Sequence, residues 1–153
     1  MFTAQFIELN EKKHLYMSGG LGTMGYGLPG AIGAKIGNPD TPVISISGDG
    51  GMQMNSQELA TAVLEELPII SCIFNNNNLG MVRQWHLAAF SPARCTGAKG
   101  IRVTKKEEIE PAFREAMKSK KTPYVIEFEI DPEDLVYPMI QPGGTLKDMI
   151  LDC

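Results

Sequence analysis

The chain has 153 residues, 43% hydrophobic and 21% charged, with a formal net charge of -4. That length supports one domain with a substantial core and is short for two, and the acidic balance, with no basic patch, argues against a nucleic-acid partner. The longest apolar run, Leu67 to Phe74, is far below the ~18 residues of a membrane span, and the N-terminus shows no signal-peptide pattern, so a cytoplasmic location with no membrane contact is expected.

Cys72, Cys95 and Cys153 are scattered without C-x-x-C spacing, which supports neither a disulfide framework nor a zinc cluster. His14 and His86 are the two histidines, and no serine or cysteine stands in a nucleophile motif. Triad chemistry has little to build on. Any chemistry here is expected to belong to a cofactor.

In chain order, the first organised stretch runs from Gly19 to Gly37. It is dense in glycine, with Gly19-Gly20-Leu21-Gly22 leading into a helix that ends near Gly37 and Asn38. Such density lets backbone pack closely on backbone or on a ligand. Val43 to Ser47, preceded by Pro42 and ended by Gly48, reads as a buried parallel strand. Asn55 with Glu58 three residues on forms a helix-start signature, and Leu59, Ala62, Val63 and Leu67 repeat at helical spacing until Pro68. Ile69 to Phe74 is the next strand, completing a β-α-β unit.

A second unit follows, with Ile101 to Val103 as a strand, Thr104 and Glu107 as a capping box, a helix to about Lys118, and Tyr124 to Ile130 as a strand. The alternation predicts the α/β class, an open parallel sheet flanked by helices in three layers. Right-handed crossovers then bring the strand C-termini to one edge, where such sheets bind ligands. From Asp131 onward the Pro- and Gly-rich tail reads as an irregular cover over that edge, with one short helix after Thr145.

Two groups fall at the ligand edge. Gly48-Asp49-Gly50-Gly51, taken alone, is more often an ordinary strand-to-helix turn, and Asn75 to Asn78, taken alone, a polar loop. Together, one helix and one strand apart, they put a carboxylate at one strand end and amide oxygens at the next. A hard cation such as Mg²⁺ accepts these ligands alongside water and phosphate oxygens. The NH groups of Gly50 and Gly51 and the helix after Asn55 favour phosphate at the same edge. One competitor is a Rossmann dinucleotide module, because Gly20-Leu21-Gly22-Thr23-Met24-Gly25 reads as G-x-G-x-x-G. That motif needs a strand before it, and Lys12 to Met17 is a poor one.

The Gly-Asp-Gly to Asn-Asn pairing resembles the thiamine-diphosphate motif. Ser18 to Pro29, Met54 to Thr61, Leu79 to Trp85 and Val136 to Met139 further resemble the catalytic subunit of acetolactate synthase. The resemblance implies a diphosphate-side, C-terminal thiamine-diphosphate-binding domain over 1–153, with Asp49, the Asn76 side chain and the Asn78 backbone carbonyl as Mg²⁺ ligands. It assigns the aminopyrimidine to Gly22 and Met24, and the diphosphate and thiazolium side to Gly48, Gly50, Gly51, Leu79, Gly80 and Met81. Trp85 would shape the pocket for the second oxo-acid, while His86 reads as an exposed helical residue. Without the neighbouring glycines, Met24 would read as a core methionine.

The implied reaction condenses pyruvate with a second pyruvate or with 2-oxobutyrate, losing CO₂, in branched-chain amino-acid synthesis. Full-length members carry an upstream domain with the activating glutamate and a middle domain that holds FAD. Neither fits in 153 residues, so no catalytic residue is expected on this chain and the isolated chain is expected to be inactive. The resemblance also implies a homo-oligomer and a separate regulatory small subunit. The domain reads as truncated at its N-terminus, before a Gly-Gln-His segment, and shortened between Trp85 and Gly97, where relatives carry a longer loop. Readings from other classes are another thiamine-diphosphate decarboxylase or carboligase, and a non-catalytic assembly fragment.

Overall fold

The structure, a computed structural model, describes residues 2–10, 13–76, 97–131, 139–140 and 145–150. Two units separate, Leu15–Pro132 and the two terminal segments Met1–His14 with Glu133–Cys153.

The larger unit is built on four parallel strands, β1 (Val43–Gly48), β2 (Ile69–Asn75), β3 (Lys99–Val103) and β4 (Tyr124–Glu129), in the order β1-β2-β4-β3. Among the described residues its helices are α2 (Gly27–Gly37), α3 (Asp49–Met54), α4 (Glu58–Leu64) and α5 (Ile109–Met117), and α1 (Phe2–Phe6) belongs to the terminal unit. β2 is buried along Ile69, Ile70, Ser71, Cys72 and Ile73, as expected for a parallel strand with helices on both faces. One core gathers Leu28 and Ile32 of α2, Met52 of α3, Leu59 and Ala62 of α4, and Ile69, Ile73 and Val125 of the sheet. The other gathers Ala112 and Ala116 of α5 with Ile70, Cys72, Val103, Tyr124, Ile126 and Phe128. Alternate residues of the same strands feed opposite cores, which is the pleat at work, and the result is the three-layer parallel α/β arrangement expected from the sequence.

Local departures have local causes. The Gly48-Asp49-Gly50-Gly51 run is a strand-to-helix junction in which Asp49 begins α3 directly after β1, a short helix not expected ahead of the one after Asn55. Asn55 does not cap the next helix with its side chain. α4 has Gln57 at its N-cap with no side-chain cap bond, because the Asn55 oxygen that would accept from the helix start accepts from Gln57 Nε2 at 3.3 Å instead, while its Nδ2 donates to the Gly25 carbonyl at 3.0 Å. α4 closes as the Leu67 N-H reaches Ala62 O and the Glu66 N-H reaches Val63 O. Glu66 takes the left-handed conformation (φ 52) usual for such closures. In the terminal unit the tail expected to be irregular contains an antiparallel pair, β5 (Met139–Ile140) with β6 (Met149–Ile150), and the short helix after Thr145 is a 3₁₀ turn at Leu146–Asp148.

Ser45 and Ser71 are register partners on β1 and β2. Both hydroxyls are buried, and among the described residues neither has a hydrogen-bond partner, a cost of order 1–3 kcal/mol per group unless water reaches it. The thiol of Cys72 is pushed up to about 12 by burial, so this cysteine is neutral filler in the strand.

The start of α5 corrects the expected capping box. The carboxylate that turns back is Glu108 rather than Glu107, accepting from the Thr104 N-H at 2.9 Å and the Lys105 N-H at 3.2 Å, because the chain first makes a 3₁₀ turn over Lys106–Glu108. Those backbone donors at Thr104 and Lys105 hold the Glu108 carboxyl below its ordinary 4.5. A depressed folded-state pKa stabilises the fold above the unfolded value and loses that contribution as pH falls through the folded one. Glu108→Gln is therefore expected to lower the urea midpoint at pH 7 and to match the wild type at a pH below the whole carboxylate range. A midpoint difference that persists unchanged into acid would contradict this.

Candidate functional site

The parallel register decides what meets at the sheet edge. Gly48, the last residue of β1, pairs with Phe74 of β2. Asp49 is the next residue along one strand, and Asn75 and Asn76 are the next two along the other. Asp49 and Asn76 thus leave neighbouring strands, whose usual spacing is about 4.8 Å, at the same carboxyl edge, and both are partly buried. Among the described residues no three His, Cys, Asp or Glu side chains gather as a metal site. A carboxylate and a carboxamide oxygen are nevertheless a sufficient protein share for a hard cation that takes its other ligands from phosphate and water.

The asparagine run divides by role. Asn75 is held within the sheet, its Nδ2 donating to Glu127 Oε1 at 2.6 Å and its carbonyl accepting from the Ile130 N-H at 3.0 Å. Asn76 is the first of the run beyond the strand. Asn78, Leu79, Gly80, Met81 and Trp85 lie outside the described residues, as does the segment expected to be shortened before Gly97.

The glycine loop packs on β1 and on the end of α3. A Cβ on Gly27, the first residue of α2, would fall 3.2 Å from Ser45 Oγ and 3.5 Å from the Ile46 carbonyl, so the start of α2 rests on the carboxyl half of β1. Just before it, Ser18 ties the loop by accepting the Gly22 N-H at its carbonyl (2.9 Å) and the Thr23 N-H at its hydroxyl (3.0 Å). Gly22 has φ +60 and open space where a Cβ would stand. Left-handed backbone with room beside it suits a ligand approaching the main chain. Met24 belongs to neither core and is 47% exposed, which removes the core-methionine alternative. Gly51 lies against Ser47, 3.7 Å from a built Cβ, and Gly50 is buried in α3. The dinucleotide alternative is not supported by the backbone, as residues 13–18 form no strand before the G-x-G-x-x-G run.

Sequence reasoning missed Asn55 as a link to the glycine loop, Ser18 as its anchor and Glu127 as the partner of Asn75. Each was visible only as a polar residue of ordinary turn or strand type.

Residues 1–128 match the family described as thiamine pyrophosphate enzyme, C-terminal TPP binding domain. Among curated proteins, the chain is 42% identical to a probable acetolactate synthase large subunit of Methanocaldococcus jannaschii, covering 98% of this chain and 28% of that one. It is 40% identical to the acetolactate synthase large subunit of Corynebacterium glutamicum (97% and 27%) and 41% identical to acetolactate synthase 3, chloroplastic, of Brassica napus (99% and 27%). The chain therefore spans somewhat over a quarter of the length of these relatives. Among solved structures it resembles the thiamine diphosphate-dependent 4-hydroxybenzoylformate decarboxylase of Rhodococcus jostii RHA1, with a TM-score of 0.65 and 28% identity over 71% of this chain and 23% of that one.

Proposed function

The chain belongs to the family of C-terminal TPP-binding domains of thiamine pyrophosphate enzymes, and from that membership we propose that it is the diphosphate-side domain of an acetolactate synthase large subunit. The observation that carries this reading is the β1-β2 register, with Gly48 opposite Phe74, from which Asp49 and Asn76 leave adjacent strands at one edge. Relatives 40–42% identical over nearly the whole chain support the choice of enzyme.

In this reading Mg²⁺ is held by Asp49, the Asn76 side chain and the Asn78 backbone carbonyl. The diphosphate would be held by Gly48, Gly50, Gly51, Leu79, Gly80 and Met81, of which Gly50 and Gly51 lie in the first turn of α3, where N-H groups have no intrahelical partner. Gly22 would offer backbone to the aminopyrimidine, and the half-exposed Met24 would support the cofactor. When bound, thiamine diphosphate supplies the electron sink for loss of CO₂ from a 2-oxo acid. The chain's own residues anchor and orient it, and Trp85 walls the acceptor pocket, separating pyruvate from 2-oxobutyrate by only about 1–3 kcal/mol for one methylene.

FAD, a homo-oligomeric assembly and a regulatory small subunit belong to the same proposal. Apolar side chains left exposed on β1 and β2, Ile44, Ile46 and Phe74, support an assembled rather than isolated domain. A second reading, a thiamine-diphosphate-dependent decarboxylase, draws on the Rhodococcus likeness, but at 28% identity over 71% of the chain it ranks below the synthase.

Calorimetric titration of the 153-residue chain with thiamine diphosphate tests the site. Uptake that requires Mg²⁺ is the expected result. Uptake indifferent to divalent cations, or none at all, would refute the metal-diphosphate reading, and binding of NADH in its place would restore the dinucleotide alternative.

A further inference from the structure

We propose that Asn55 is a positioning residue that locks the glycine loop to the helix bearing Asp49, joining the two halves of the cofactor site; the inference rests on the cofactor reading above. α3 runs from Asp49 to Met54, so a single short helix carries the acidic metal ligand at its first residue and Asn55 directly after its last. The Asn55 Nδ2 donates to the Gly25 carbonyl at 3.0 Å, and its Oδ1 accepts from Gln57 Nε2 at 3.3 Å. The second bond sets which end of the amide faces the loop. Gly25 closes the stretch that contains Gly22 and Met24.

The contact is built to be close. Gly25 has φ +85, and a Cβ there would stand 2.7 Å from Asn55 Nδ2 and 2.8 Å from Met54 Cβ. A side chain at position 25 would be strained by its backbone and would also push the loop off the end of α3. The hydrogen bond and the missing Cβ therefore do one job. They set the distance between backbone that would receive the aminopyrimidine and the carboxylate that would hold the metal. Gly27, two residues on, rests against β1, so the loop is tied both to the end of α3 and to the strand that leads into it. The metal-diphosphate half is built from the strand ends and the first residues of α3, none of which the Asn55 bond touches, and does not depend on this lock.

The two halves can be probed separately, with thiamine diphosphate plus Mg²⁺ for the whole site and inorganic pyrophosphate plus Mg²⁺ for the metal half alone. Asn55→Ala is expected to weaken thiamine diphosphate by about 10-fold, the value of one well-made hydrogen bond, and to leave pyrophosphate affinity unchanged. Asn55→Asp keeps the shape but turns a carboxylate oxygen toward the Gly25 carbonyl, so it should weaken thiamine diphosphate at least as much. Amide hydrogen exchange at Gly22 and Thr23 should accelerate in both variants with no ligand present. Gln57→Ala, at an exposed position, is the variant least able to disturb folding, and it should speed the same two amides at an unchanged melting temperature. Equal loss of both probes in Asn55→Ala, wild-type affinity in Asn55→Asp, or unchanged exchange at Gly22 and Thr23 would each overturn the proposal. If the wild type takes up neither probe, the cofactor reading is what fails, and the exchange rates still decide whether Asn55 holds the loop.

Discussion

Replacing Asp49 by Asn is expected, on the proposed function, to lower Mg²⁺-dependent affinity for thiamine diphosphate by roughly 100-fold or more, since the loss of even an outer-shell partner of a metal ligand commonly costs 10- to 100-fold. The substitution keeps the size and one coordinating oxygen, so what it removes is the negative charge facing the cation. Asp49 sits in the first turn of α3, where a negative charge is worth about 0.3–1 kcal/mol against the helix dipole, and thermal melting of the variant reads any change in stability apart from the change in affinity. Asn75→Ala is the internal control. Its amide is engaged with Glu127, so removing it should lower stability slightly while leaving the Mg²⁺ requirement intact. Calorimetric titration of both variants with and without Mg²⁺ reads the difference, and an Asp49→Asn chain with undiminished affinity would remove position 49 from the metal site.

Ile126→Ala is expected to destabilise the fold by roughly 2–5 kcal/mol, the usual range for a buried Ile-to-Ala truncation. Ile126 is 0% exposed, on the interior strand β4, with Cys72 of β2 and Ile101 of β3 as register partners. Backbone on both sides is hydrogen-bonded, so the layers have little freedom to collapse into the cavity. Against a total of about 5–15 kcal/mol for an ordinary domain, this is a large share. Ile46 makes the contrast. It is an isoleucine on β1 of the same sheet, but exposed, and truncating it should stay within about 0.5 kcal/mol in the isolated chain. Urea unfolding monitored by circular dichroism reads both, with the slope unchanged if the denatured state is unaffected. Equal effects at 126 and 46 would mean that burial in this sheet is not as described.

Local grammar made the larger unit readable. Val43 to Gly48 and Ile69 to Phe74 are β-branched runs bounded by Pro and Gly, and Ala112, Phe113 and Ala116 repeat at helical spacing, so strands and α5 fell close to where the chain forms them. The misreadings cluster where a polar side chain had two local options. Asn55 looked like a cap because Glu58 follows it, and Glu107 looked like the returning carboxylate because it lies three residues after Thr104. A 3₁₀ turn moved that role to Glu108, and a partner 30 residues away claimed Asn55.

By itself, the sequence determined the alternation of strand and helix, the parallel class and the two chemical groups at the strand ends. Those follow from periodicity and from residue types adjacent in the chain. Only the tertiary structure decided that Gly48 stands opposite Phe74, which brings Asp49 and Asn76 to one edge, that Asn75 is spent on Glu127, and that Asn55 fastens the glycine loop. Register and side-chain pairing depend on which segments pack together in space, and no local preference encodes the identity of a distant partner.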